Sequence, residues 1–115
     1  MKELFIILVV LIVAGCSSSK VTYLDIQSDK VNKIEVYKGF PGEQIAMKKD
    51  FENNLLTDLN KSTKDSPRKF MKPYRILVYY NNGIIDTLRT NGTLHINNDN
   101  DYYQISENLI DKYKK

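Results

Sequence analysis

YRILVYYNNGIIDTLRTNGTLHI, residues Tyr74 to Ile96, is the stretch whose reading decides the fold. Its first seven residues are β-branched, aromatic or aliphatic apart from Arg75, a composition that suits a pleated, half-buried strand. Ile76, Val78 and Tyr80 fall on one side of a period-two alternation and Leu77 and Tyr79 on the other, so Tyr74 to Tyr80 reads as a central strand. Asn82-Gly83 supplies the positive backbone angles of a tight hairpin turn, after which Ile84 to Thr90 returns as a second strand. Asn91-Gly92 repeats the device, and Thr93 to Ile96 becomes a third. Two-residue turns place Ile76, Val78, Tyr80, Ile85, Leu94 and Ile96 on one face, which we expect to be the core.

Working outward, Ile34 and Val36 alternate with Lys33, Glu35 and Tyr37, which marks another strand from Val31. Gly39-Phe40-Pro41-Gly42 is a turn, and Glu43 to Lys48 reads as the return with Ile45 and Met47 inward. Asp50 is placed to cap a helix in which Phe51, Leu55, Leu56 and Leu59 share one side. Val21 to Ile26 reads as extended, Lys61 to Pro73 as irregular, and Tyr102 to Ile105 as a short strand. Ser106 is a cap candidate for a last helix with Leu109, Ile110 and Tyr113 on its apolar edge, and Lys112, Lys114 and Lys115 complement its dipole. The fold class is therefore α+β. Residues 21–115 form a single small domain with an antiparallel β-sheet of about five or six strands, one helix packed on it and a short C-terminal helix.

The N-terminus has another character. Lys2 precedes an unbroken apolar run from Leu4 to Ala14, and Val13-Ala14-Gly15-Cys16 follows at once. As a helix the run extends roughly 16 Å, against a hydrocarbon core of about 30 Å. That length suits a signal peptide and falls short of a span. Here the chain resembles the bacterial lipoproteins, whose lipobox of an aliphatic residue, two small residues and a Cys is matched by Val13, Ala14, Gly15 and Cys16. The resemblance covers only these first sixteen residues. It implies cleavage between Gly15 and Cys16, removal of 1–15, a diacylglyceryl group on the Cys16 sulfur, acylation such as palmitate on the new amino group, and a polar tether over 16–20. Ser17, in place of an Asp, leans toward the outer membrane in a cell that has one. The expected location is the cell membrane or outer membrane, lipid-anchored, with the domain facing periplasm or exterior.

Cys16 is the only cysteine, so lipidation leaves no thiol for a disulfide, a thiolate metal site or a nucleophile. The net charge of +3 is mildly basic and does not suggest a nucleic-acid partner. His95, the lone histidine, falls opposite Leu94 and Ile96, away from the expected core. It lacks the further ligands of a metal site, and nothing in the spacing brings Ser106 and Asp86 or Asp101 to it. Asn97, Asp99 and Asp101 alternate like the start of a calcium loop, but Tyr102 stands where such a loop turns on Gly and Asn108 where it needs Glu. No catalytic residue, metal or cofactor is singled out.

Two features point to binding. Eight tyrosines are present, of which Tyr37, Tyr79, Tyr102 and Tyr103 are expected at the surface, where Tyr gives contact area at low entropic cost. Lys61, Lys64, Arg68, Lys69, Lys72 and Arg75 gather on the irregular stretch 61–75, with Phe70 and Met71 among them, against one acid, Asp65. The expected function is a non-catalytic protein-interaction module of the envelope, of inhibitor, immunity or assembly type, with an envelope protein as partner. The alternatives are a binder of anionic envelope polymer or lipid through 61–75 and, with least support, an enzyme using His95 or an acid pair.

Overall fold

The computed structural model describes residues 21–39 and 42–115. The expected signal peptide, Gly15, Cys16 and the expected tether to Lys20 lie outside the described residues, as do Phe40 and Pro41 of the expected first turn. The elements are β1 (Val31–Lys38), β2 (Glu43–Gln44), α1 (Phe51–Leu59), β3 (Thr63–Asp65), β4 (Tyr74–Tyr80), β5 (Ile85–Thr90), β6 (Leu94–Ile96), β7 (Tyr102–Gln104) and α2 (Leu109–Tyr113). They form an α+β domain whose one sheet has seven antiparallel strands in the order β2-β1-β4-β5-β6-β7-β3. The sheet is wider than five or six strands because β3, hidden in the basic stretch, pairs with β7 at the far edge.

One face of the sheet carries the core. Ile34, Val36, Ile76, Val78, Leu88 and Tyr103 meet Phe51, Leu55, Leu56 and Leu59 of α1, Leu109, Ile110 and Tyr113 of α2, and Leu24 and Ile26 of the N-terminal segment. The i, i+4, i+5, i+8 spacing in α1 thus does what the periodicity predicts, and each such aliphatic side chain contributes about 1.5–3 kcal/mol by leaving water. The helix begins differently from expectation. Asp50 sits in the left-handed region (φ 56°) and its side chain makes no cap bond, because a left-handed N-cap turns the carboxylate away from the helix amides. In α2 the cap is Asn108, whose Oδ1 accepts from Asp111 N at 3.1 Å, two residues past Ser106. The two helices are tied by Asp58, which accepts bonds from Tyr113 Oη and from Lys112 Nζ at 2.9 Å. Burial raises the Asp58 pKa, but these donors outweigh it and hold the carboxyl below its usual range.

Half of the expected core face is inverted. Tyr80 N donates to Ile84 O and Gly83 N to Tyr80 O, so the hairpin loop has three residues, Asn81 to Gly83, with Gly83 at φ 90°. Ile76 then faces Leu88 and Val78 faces Asp86, one residue away from the register a two-residue turn gives. A one-residue slip sends every side chain of the strand to the other face. Ile85 is consequently 47% exposed, and Leu88 takes the inward place. The next loop preserves parity, since Thr90 faces His95. Leu94 and Ile96 therefore turn outward with β5, and His95, expected at the surface, is buried with 0% exposure. Tyr80, expected inward, is half-buried at the end of the inner face.

Val21 to Ile26 contributes no full strand but runs antiparallel beside β3. Tyr23 bridges Thr63, Leu24 N donates to Ser62 O at 3.0 Å and Lys64 N to Thr22 O at 2.7 Å. Asn60 then clamps Ile26 at both backbone groups, accepting from its N–H at 2.7 Å and donating to its carbonyl at 2.8 Å. Of the expected strand Glu43 to Lys48 only Glu43 and Gln44 pair in full, while Ile45 and Met47 are half-buried against the core.

Candidate interaction face

The chain passes over the sheet twice, once from edge to edge and once from the β3 edge back to the interior strand β4. Between β2 and β3 it passes over the inner face as α1, and between β3 and β4 it returns over the outer face as a strap, residues 66–73. Pairing fixes what that outer face shows. Tyr37, Arg75, Arg89, Ile96, Tyr102 and Asp65 lie in one row across β1, β4, β5, β6, β7 and β3. Glu35, Leu77 and Thr87 form the next row, and Lys33, Tyr79 and Ile85 the one after.

The strap closes one half of this face. Arg68 pairs with Asp65 at 2.5 Å, and Phe70 packs edge-on against Tyr102 with ring centroids 6.4 Å apart. Ile96 beneath is 2% exposed although it belongs to the face away from the core. Phe70 thus serves a second, smaller apolar contact, and Met71 beside it stands 83% exposed.

The other half, over β1, β4 and the start of β5, is open to solvent. Tyr79 is pushed up to about 12 by its hydrogen bond to Glu35 and then by burial, and Lys33 Nζ lies 4.5 Å from the centre of its ring. Gln44 donates to the same Glu35 at 3.3 Å. The Arg75 guanidinium lies over the Tyr37 ring at 5.8 Å, and a side chain at Gly42, which sits at φ 99°, would collide with it. A ring held by a neighbouring cation is pre-oriented at small entropic cost, which is the property that makes Tyr and Arg effective contact residues.

Of the four tyrosines expected at the surface, the structure brings Tyr37, Tyr79 and Tyr102 to the outer face and puts Tyr103 in the core opposite His95, where burial raises its hydroxyl. The basic residues do not make one patch. Lys61 follows α1 and pairs with Asp58 at 3.5 Å, and Lys64 on β3 pairs with Asp101 at 3.7 Å. Arg68, Lys69 and Lys72 ride on the strap, where Lys72 donates to Phe70 O at 3.3 Å. Arg75 belongs to the open half. Arg89 and Lys33, which also stand there, were not indicated by the basic stretch, and only the strand register reveals them.

Among the described residues His95 hydrogen-bonds Thr90, and no hydrogen bond joins it to Ser106, Asp86 or Asp101. Thr90 Oγ1 donates to Leu94 O at 2.7 Å, accepts from Gly92 N at 2.8 Å and touches His95 Nδ1 at 2.7 Å. The hydroxyl's one proton being used, we assign the ring proton to Nδ1. Nε2 is then bare and buried without a partner among the described residues, and burial pushes the imidazole down to about 4. Asp86 accepts from Asn98 at 3.0 Å. Asn97 Oδ1 accepts from the amides of Asp99 and Asp101, at 3.0 and 2.9 Å, which makes it the organiser of the turn before β7. Among the described residues no helix is long and apolar enough to cross a membrane. Compared with protein-family models, with curated proteins and with solved structures, the chain matches none of them.

Proposed function

We propose that the protein is a lipid-anchored lipoprotein of the cell envelope whose domain is a non-catalytic interaction module, and that it grips an acidic envelope protein with the open half of the outer face. The observation that carries this reading is the side-by-side placement of Lys33, Tyr79 and Ile85, and of Tyr37, Arg75 and Arg89, on paired strands. Amphipathic rings, fixed cations and an exposed isoleucine in one patch are the composition of a protein contact. Glu35, the carboxylate these rows carry on β1 and β4, is already engaged by Tyr79 and Gln44, and Asp65 at the far edge is paired with Arg68. The patch therefore presents positive potential outward and favours an acidic partner.

In-cell crosslinking of the tagged, membrane-bound protein tests it. Wild type is expected to capture one dominant acidic envelope protein, and Tyr79→Ala with Arg89→Glu to lose it while Lys48→Glu, away from the patch, keeps it. A captured set that the double variant leaves unchanged would refute the assignment of this face. Capture of no protein, with retention on isolated anionic polymer, would move the function to the charges of the strap.

A further inference from the structure

Where the chain enters the domain fixes which way the domain must lie on its membrane. The antiparallel bridge of Tyr23 with Thr63 sets Val21 beside Asp65, at the residue where the strap begins. Three attachments hold this entry: the backbone bonds of Leu24 and of Lys64, and the two-point clamp of Asn60 on Ile26. Alternation puts Leu24 in the core and Val21 and Tyr23, both exposed, on the outer side with the strap. From Cys16 to Val21 is five residue steps, and an extended chain covers at most about 17 Å over that length. A lipid held at Cys16 thus lies within a short reach of the strap.

The strap is made for such a surface. Arg68, Lys69 and Lys72 are exposed on it, Met71 projects at 83% exposure, and Val21 and Tyr23 continue the apolar part along the edge. Basic residues near an anionic bilayer are drawn to its surface potential, while apolar side chains enter the headgroup layer. We propose that the strap and the outer side of the Val21–Ile26 segment form the surface with which the domain rests on the anionic bilayer holding its own anchor. This rests on the lipoprotein reading and adds an orientation to it. Neighbouring strands rotate by roughly 20–25°, so the outer face over β3 and β7, where the strap begins, is not coplanar with the outer face over β4 and β1. The row of Lys33, Tyr79 and Ile85 lies six residues along the chain from the strap's end at Pro73, and it is the part of the partner-binding patch that stands clear of the membrane.

The test is amide hydrogen exchange on the full acylated protein in vesicles of phosphatidylcholine alone and in vesicles containing phosphatidylglycerol. Residues 66–73 and 21–24 are expected to exchange more slowly in the anionic vesicles, with β1 and β4 unchanged. Lys69→Glu with Lys72→Glu is expected to reduce that difference by at least roughly fivefold for each lysine reversed. Unchanged exchange of β1 and β4 shows that this variant is folded. Equal exchange of the strap in both lipids, on a protein that still floats with the vesicles, would overturn the orientation and leave the anchor standing. An acyl-free mass for the mature chain would remove the anchor and the orientation together.

Discussion

The two faces of this sheet obey different rules although the same strands build them. On the inner face Val36, Ile76 and Val78 are fully buried under α1 and α2, and any loss of volume there leaves a hole. On the outer face the neighbours of those residues are Glu35, Tyr37, Arg75, Leu77 and Tyr79, which pair with one another sideways and lie under no helix. The strap covers the outer face over β6 and β7 but not over β1 and β4. Burial therefore decides what stands inside, whereas outside the residues are free of that constraint, and their ordered rows of rings and cations call for another explanation. Contact with a partner supplies one.

The contrast is open to three further measurements. The largest effect belongs to the inner face: Leu55→Ala should cost about 2–5 kcal/mol in denaturant unfolding, and a loss below about 1 kcal/mol would mean that α1 is not what closes the sheet. Next comes acid. His95 has a folded pKa of about 4 against 6.5 unfolded, so the unfolded chain takes up the proton first. The stability that neutral His95 contributes is complete above pH 6.5, falls as pH drops toward 4 and amounts to about 3 kcal/mol. His95→Leu should flatten that part of the profile, and a wild-type profile already flat from pH 7 to 4 would show the ring to be reachable by water. Smallest of all, Tyr79→Ala and Arg89→Glu should each move stability by less than about 0.5 kcal/mol. A larger loss would make the open half a structural element and blunt the distinction between the faces.

What the sequence disclosed follows the same division. Tyr74 to Tyr80 and the four apolar positions of α1 were legible because burial leaves a periodic trace. Asn82-Gly83 marked the hairpin correctly but not its length, since Gly with a positive φ serves a three-residue loop as well as a two-residue turn. The strand beyond offered no arbitration: Ile85, Thr87 and Arg89 on one side are scarcely more or less apolar than Asp86, Leu88 and Thr90 on the other. That single ambiguity sent His95 to the wrong face. β3 was hidden for a different reason. Thr63 to Asp65 is short and polar, and it becomes a strand only because Tyr102 to Gln104 arrives beside it. Of the interaction face, Tyr37, Tyr79 and Arg75 were legible by type, but their assembly with Lys33 and Arg89 depends on pairings between distant segments.

The bridge between Tyr23 and Thr63 has one more consequence. Proteins tethered to a membrane are confined to two dimensions and collide with their own copies far more often than in solution, and a bare strand edge invites each collision to extend the sheet. One edge here is occupied by the segment Val21–Ile26, so under the proposed anchor the part of the chain that would bring copies together would also deny them that template. At the other edge the outermost strand is only two residues long, and the length of β1 that it leaves uncovered carries exposed Asn32 and Lys33. Short edges and an edge lysine are the devices by which sheet proteins avoid polymerising, and a crowded surface is where they matter most.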